Sequence, residues 1–123
     1  MPDRRSASRL RQRIVRLGRE LAALQERLLK PRRMIAASLI ERRLGTRAEK
    51  RASTAFYLSR AEGGRTRLVH VSKDQVERVR ERVEAWRSYR AGVRRWREVA
   101  ALAAELLGAL GEAQAERPGG RER

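Results

Sequence analysis

Apolar residues in the first thirty positions recur with heptad spacing. Ser8 is a residue type favoured at helix N-caps, and Pro31 disfavours a helical backbone at Lys30. The pattern therefore predicts a helix over residues 8–30 with a seam that packs against a partner helix, from this chain or another copy. The seam residues follow one another at intervals of four, three, four, three and four: Leu10, Ile14, Leu17, Leu21, Leu24 and Leu28.

Two short runs further along alternate in the manner of β-strands. Residues 55–60 and 66–71 are rich in aromatic and β-branched side chains, and Gly63 and Gly64 lie between them. Such a pair of runs around a Gly-Gly turn predicts a β-hairpin. Within the first run, Tyr57 alternates off the face that carries its two apolar neighbours.

An isolated hairpin is marginally stable in water. A third antiparallel strand is therefore predicted over residues 38–43, which completes a meander within the region 34–71. Residues 45–53, rich in Arg, Lys and Ala, are predicted to form a loop.

A long helix is predicted to follow the sheet. Ser72 and Gln75 have the spacing of a capping box, and no proline occurs again until Pro118. We therefore expect a helix over residues 73–110. Its first apolar stripe comprises Val76, Val79, Val83 and Trp86, and its second comprises Tyr89, Val93, Trp96, Ala100, Ala103 and Leu107.

The two stripes differ in direction by about 100° at 100° per residue. One partner surface cannot follow that change along a straight helix. We therefore expect the sheet to pack on the first half of the helix and the N-terminal helix to pack on the second half, with a kink at Gly92 as the alternative.

These elements together predict an α+β fold. It consists of an N-terminal helix, a three-stranded antiparallel meander and a long C-terminal helix that pairs with the first helix. Residues 8–111 are predicted to be a single domain, with a disordered basic arm at 1–7 and a disordered tail at 112–123.

The charge balance points to a polyanionic partner. The chain has 31 basic and 15 acidic residues in 123, a formal net charge of +16. Such a charge most often accompanies nucleic-acid binding. With no cysteine and one histidine, disulfides, thiolate sites and His-rich metal sites are excluded, and we expect no metal and no cofactor.

No apolar run approaches the length of a membrane span, and the first residues lack the apolar stretch of a signal peptide. The sequence thus predicts a cytoplasmic protein with no membrane partner.

Arginines form the candidate binding site. Four on the long helix continue the face that its valines occupy, as a strip about 15 Å long. The alternative is a solvated helix face on which Glu84 and Glu98 pair with neighbouring arginines. The predicted phosphate-binding residues are Arg87, Arg90, Arg94 and Arg97 in this strip, Arg9, Arg13 and Arg16 on the first helix, and Arg65 and Arg67 in the third strand.

No catalytic constellation is present in the sequence. His70 has no nucleophile or orienting carboxylate near it in the pattern, and Glu41 and Glu49 have no sign of shared geometry. We therefore expect no enzyme activity. The aromatic residues can stack on bases, but their positions on apolar stripes favour core roles for all except Tyr57.

Several short motifs resemble an uncharacterised family of small bacterial proteins that occur near transposases and other mobile-element genes. They are Ser38-Leu39-Ile40-Glu41-Arg42, Phe56-Tyr57-Leu58-Ser59-Arg60, Gly63-Gly64-Arg65-Thr66-Arg67 and the start of the long helix, over about residues 34–107. The resemblance implies no activity. The family's cysteine cluster is missing, since residues 44–51 contain no cysteine, so any zinc role of the family is absent here.

The sequence thus favours a non-enzymatic nucleic-acid-binding accessory protein with phosphate-dominated, weakly sequence-specific contacts. The alternative is a coiled-coil module that binds a partner helix or forms a homodimer through the seam at residues 10–28. Whether the nucleic acid is DNA or RNA, duplex or single-stranded, is left open by the pattern.

The composition generates a prediction about metal content. Because the chain has no thiol and one imidazole, we expect elemental analysis of a tag-free preparation to find no stoichiometric zinc. One zinc ion per chain would contradict this expectation.

Overall fold

A computed structural model describes residues 4–45, 53–116 and 118. Its described part is α+β, as predicted. The elements, in chain order, are α1 (Arg4–Leu29), β1 (Ser38–Leu44), β2 (Ser53–Glu62), β3 (Arg65–Val71), a 3₁₀ turn (Lys73–Gln75) and α2 (Val76–Gln114). The chain divides into a helical unit, Met1–Lys30 with Gly92–Arg123, and a sheet unit, Pro31–Ala91.

The helical unit is an antiparallel pair formed by α1 and the second half of α2. Leu24 of the α1 seam is 7% exposed, and Val99 of α2 is 2% exposed. The two helices contact each other near Leu28 and Gly92, and a hydrogen bond from Arg11 to Gln114 joins them at the far end. The predicted pairing of the first and last helices is therefore confirmed.

The seam on α2 differs from the predicted stripe. Leu106 is buried and Leu107 is 55% exposed, so the predicted assignment of Leu107 to the stripe is wrong. The predicted stripe differs from the observed seam because the observed heptad series begins at Gly92, a residue that a hydrophobic pattern does not include. The half-buried or buried members of that series are spaced by four, three, four, three and four: Gly92, Trp96, Val99, Ala103, Leu106 and Leu110.

The sheet has the strand order β1-β2-β3 with both pairings antiparallel. Glu62 and Arg65 are opposite each other at the hairpin end, and the two residues between them have positive φ, 57° at Gly63 and 77° at Gly64. Glycine adopts this backbone without steric cost, which is why a Gly-Gly pair makes the two-residue turn. The hairpin and the third strand are confirmed, and all three strands extend beyond their predicted bounds.

The two faces of the sheet differ in what covers them. Phe56 and Val71 are opposite each other and point to the same face, on which the first half of α2 packs. The guanidinium carbon of Arg80 is 6.0 Å from the centre of the Phe56 ring, and the Ile35 amide donates a hydrogen bond of 3.0 Å to the Arg82 carbonyl. The prediction that the sheet packs on this half of α2 is confirmed.

α1 begins before its predicted start and α2 ends after its predicted end. α1 begins at Arg4, so the predicted disordered arm is helical from that residue, and Ser8 lies inside the helix instead of capping it. Ala7 is 8% exposed because it lies three residues before Leu10 and extends the seam by one more member. At the other end, α2 includes residues 112–114 of the predicted disordered tail, and Ala113 is half-buried.

The parts of the predicted arm, loop and tail at residues 1–3, 46–52, 117 and 119–123 lie outside the described residues. The capping box predicted at Ser72 is wrong in its side-chain part, since Ser72 makes no side-chain cap hydrogen bond. Its carbonyl oxygen instead accepts a hydrogen bond of 3.0 Å from the Gln75 amide, which forms the 3₁₀ turn before α2.

Two glycines in the helical unit generate opposite stability predictions. A Cβ on Gly18 meets no heavy atom within 4 Å, whereas a Cβ on Gly92 lies 2.9 Å from the Leu28 Cδ2 atom. Gly18→Ala should therefore stabilise the protein by about 0.5–1 kcal/mol through helix propensity. Gly92→Leu should destabilise it by about 1–3 kcal/mol through overpacking.

Urea denaturation followed by circular dichroism measures both changes. Gly108→Ala is the matched control, because its Cβ also meets nothing within 4 Å, and it should behave as Gly18→Ala does. Equal stability of Gly92→Leu and the wild-type protein would contradict the close helix contact at Gly92.

Candidate nucleic-acid interface

The nine predicted phosphate-binding arginines are all exposed. Seven of them have no carboxylate oxygen within 4.0 Å in the described part of the chain, and Arg67 and Arg87 are the two that do. The helical unit carries Arg9, Arg13, Arg16, Arg94 and Arg97, and the sheet unit carries Arg65, Arg67, Arg87 and Arg90.

On the α2 segment of the sheet unit, two arginines lie beside aromatic and acidic neighbours. Arg87 is 3.4 Å from the Glu84 carboxylate, an exposed pair of the kind that contributes at most about 1 kcal/mol. The guanidinium carbon of Arg90 is 5.8 Å from the centre of the Trp86 ring, which stacks on Tyr89 at 6.3 Å. Both guanidiniums remain available to solvent on the surface of the helix.

Further along α2, the arginines differ in what they contact. Arg94 and Arg97 lie about 160° and about 140° from the centre of the seam at 100° per residue, on the side that points away from α1. Arg95 lies next to the seam instead, and its side chain donates two hydrogen bonds of 2.7 and 3.0 Å to the Glu20 carboxylate of α1. Arg95 thus holds the helix pair together, whereas its two neighbours contact no carboxylate of the described chain.

The Glu20–Arg95 pair changes the ionisation of both groups. The hydrogen bond from Arg95, together with its charge, holds the pKa of the Glu20 carboxyl below its ordinary value against the opposing effect of desolvation. The same hydrogen bond and charge raise the pKa of Arg95. The pair is therefore ionised at neutral pH and loses its attraction when the carboxylate is protonated.

The α1 arginines form a flank beside the seam. Arg9, Arg13 and Arg16 follow one another at intervals of four and three, which places them on one side of the helix. Glu20 continues this flank by one more interval and marks where the arginine series gives way to the Arg95 ion pair. The flank is thus an uncompensated row of cations on the N-terminal half of α1 within the described residues.

The β3 arginines lie near one shared carboxylate. Glu62 is 3.3 Å from Arg67 and 3.4 Å from Arg60. Arg65 is opposite Glu62 in the strand register but makes no ion pair with a described carboxylate. At the hairpin end of the sheet, one carboxylate therefore lies among three arginines and pairs with two of them, so the charge of these four residues is positive.

Trp96 and Phe56 lie in packed positions and Tyr57 lies on the other face of the sheet, as the sequence pattern predicts. The Trp96 indole is in the helix seam, and its buried Nε1 atom has no hydrogen-bond partner among the described residues. Phe56 lies on the helix-covered face of the sheet. Tyr57 points to the opposite face. There its ring centre is 5.5 Å from that of His70, and the Arg42 guanidinium carbon lies 5.6 Å from it.

Sequence reasoning missed Arg42 and His70 as neighbours of Tyr57. Strand alternation predicted the face of Tyr57, but only the pairing register puts His70 directly opposite it and Arg42 on its diagonal. Choosing the register from sequence requires the lengths of both turns, and the turn between β1 and β2 gave no clear signal.

Within the described residues, no three His, Asp or Glu side chains are grouped as metal ligands would be. Nor is any described helix both long enough and apolar enough to span a membrane. Comparisons of the chain with protein-family models, curated proteins and solved structures found no significant match.

The Glu20–Arg95 pair generates a prediction about pH. Because the folded-state pKa of Glu20 is lowered, its stabilising effect is present above the ordinary carboxyl pKa and is lost as the pH falls through the folded-state value. Glu20→Gln should lower the melting temperature at pH 7 and leave it closer to wild type at about pH 3.

Thermal melts at several pH values, followed by circular dichroism, provide the measurement. Glu26→Gln on the same helix is the matched control, since Glu26 is exposed and has no ion pair among the described residues, and it should change the pH dependence much less. A Glu20→Gln variant with the same loss at every pH would contradict the electrostatic origin of the effect.

Proposed function

We propose that this protein is a non-enzymatic nucleic-acid-binding accessory protein whose contacts are mainly between arginines and phosphates. The observation that carries the proposal is the seven exposed arginines of the candidate interface that lack a carboxylate partner in the described chain. A guanidinium presents a planar fork of donors that matches a phosphate group. An excess of such groups attracts a polyanion and releases its counterions on binding.

The placement of the arginines bears on specificity. They lie on α1, on β3 and on α2, and are not gathered on a single short recognition element. Phosphate contacts position a protein on nucleic acid but carry no sequence information. The proposal therefore includes low sequence specificity. The motif resemblance adds an association with mobile elements as an expectation, and the cytoplasmic location predicted from the sequence is part of the same proposal.

The alternative function is oligomerisation through the helices. The pairing of α1 with α2 inside one chain supports the nucleic-acid proposal, because the seam already has a partner helix. A specific observation favours the alternative, however: Leu10, Ile14, Leu17 and Leu21 are only half-buried in this pair. A second copy can cover apolar surface that two helices alone leave partly exposed.

Sedimentation equilibrium separates these functions. A monomer at micromolar concentration is the expected result for a self-contained helix pair. A stable dimer that persists at high salt and is lost on substitution of Leu17 would favour the oligomerisation function over nucleic-acid binding.

The binding proposal generates a salt-dependence prediction. Replacing Arg87, Arg90, Arg94 and Arg97 with Gln removes four exposed charges while keeping good helix formers, so stability should change little. The slope of log K against log salt should become shallower by up to about 0.9 for each lost duplex contact and about 0.7 for each single-strand contact. Fluorescence anisotropy with labelled duplex and single-stranded oligonucleotides across a salt series measures it.

A charge-matched pair of variants controls for net charge. Arg94→Gln with Arg97→Gln and Arg121→Gln with Arg123→Gln each remove two positive charges. The first pair should weaken binding more than the second, by a similar factor for unrelated oligonucleotide sequences. An unchanged slope and affinity in the four-residue variant would contradict the role of the α2 strip and leave the α1 flank as the remaining candidate.

A further inference from the structure

The face of the sheet opposite α2, here called the open face, has an unusual composition. Alternation and register assign twelve strand residues to it, of which eight are exposed and only Ala55 is buried. None of the twelve is acidic: Ser38, Ile40, Arg42, Leu44, Ser53, Ala55, Tyr57, Ser59, Ala61, Thr66, Leu68 and His70. The described strand residues of the open face thus include no carboxylate, in a chain that has 15 acidic residues.

The carboxylates of the strands all lie on the opposite face. Glu41 and Glu62 are in register with Phe56 and Arg65, respectively, on the side where α2 packs. A shallow groove on that side is lined by Glu41 and Glu84 as well as by two arginines, so its charge is mixed. A polyanion therefore meets carboxylates on the helix side of the sheet and none among the described strand residues of the open face.

At the centre of the open face, three planar side chains lie together. Tyr57 is on the middle strand, and its ring meets the His70 ring edge-to-face, with an angle of 76° between the planes. The Arg42 guanidinium is over the Tyr57 ring from the neighbouring strand. Ile40 and Leu68 add apolar surface beside them, and Leu68 is 40% exposed.

This arrangement fits the chemistry of an unpaired nucleobase. Bases stack on aromatic rings and on guanidinium planes when they are free of a duplex, and flat sheet surfaces present such side chains to several nucleotides at once. A base inside a duplex has its two faces covered by its neighbours and cannot make this contact. The positive charge of Arg42 and the lack of carboxylates make the surroundings compatible with the phosphates that accompany each base.

We propose that the open face is a base-stacking surface for single-stranded nucleic acid, centred on Tyr57, His70 and Arg42. The inference rests on the proposed function, to which it adds the strandedness of the ligand. The arginines of the candidate interface contribute charge attraction that is common to all nucleic acids, and the open face favours ligands whose bases are unpaired.

The test compares two oligonucleotides with the same phosphates. One is a single-stranded 12-mer of mixed sequence, and the other is a 12-mer with abasic sugars throughout its central half. Stacking contributes enough per base that the wild-type protein should bind the intact strand about 5- to 150-fold more tightly. Anisotropy titrations at one fixed salt concentration measure both affinities.

Three variants assign the difference to the open face. Tyr57→Thr keeps a strand-forming residue and should remove most of the preference for the intact strand, while its affinity for the abasic strand stays within about twofold of wild type. Tyr57→Phe keeps the ring and should retain the preference. His70→Thr, on an exposed edge strand, should reduce the preference even if Tyr57→Thr fails to fold.

The outcomes separate the two proposals. If the wild-type protein binds neither strand, the proposed nucleic-acid function fails. If it binds both equally, phosphate binding stands and the stacking surface is overturned. Equal weakening for the intact and abasic strands in both Thr variants would also overturn it, because that result shows a structural effect and not a lost contact with bases.

Discussion

The antiparallel pairing of α1 with the second half of α2 is the interaction that organises the helical unit of this protein. Both helices carry heptad seams, and neither seam has another helix to pack against within the described residues. Within the helical unit, Leu28 of α1 comes so close to Gly92 of α2 that a Cβ atom at position 92 would lie 2.9 Å from the Leu28 Cδ2 atom. A glycine at position 92 permits this approach because any larger side chain would occupy the space of the Leu28 methyl group.

The charged side chains of the molecule fall into two groups. Arg95 and Glu20 form an ion pair inside the fold, in which two hydrogen bonds link the paired helices. Most of the other arginines on the same helix have no such partner, and their repulsion opposes compactness at low salt. The arginines that have no carboxylate partner among the described residues are the basis of the proposal that the protein binds an external polyanion.

The sheet is a single layer, and one of its faces packs against α2 while the other does not. Phe56 and Val71 take part in the packing against α2, which makes the three strands stable where a lone hairpin would not be. Most strand residues of the other face are exposed, with Tyr57 half-buried at its centre and no carboxylate among them. The alternation of a strand allows this division, since one residue can serve the core while the next serves a ligand.

The sequence by itself determined the elements and their kinds. Strong local signals carried this information: the leucine spacing in α1, the Gly63–Gly64 turn, and the alternation that separates Tyr57 from Phe56. The change of stripe along α2 also predicted that the helix has two partners. Local signals failed at the helix ends, where Ala7 and Ala113 are too small to mark a seam.

Only the tertiary structure decided which residues meet. Gly92 carries no hydrophobic signal, so the choice between Leu106 and Leu107 for the seam depended on how α1 approaches α2. Arg95 differs from Arg94 only by one position in sequence, yet that rotation of about 100° brings it to Glu20. Likewise, Arg42 and His70 join Tyr57 through strand register, which is set by pairing across turns and cannot be derived from any one strand alone.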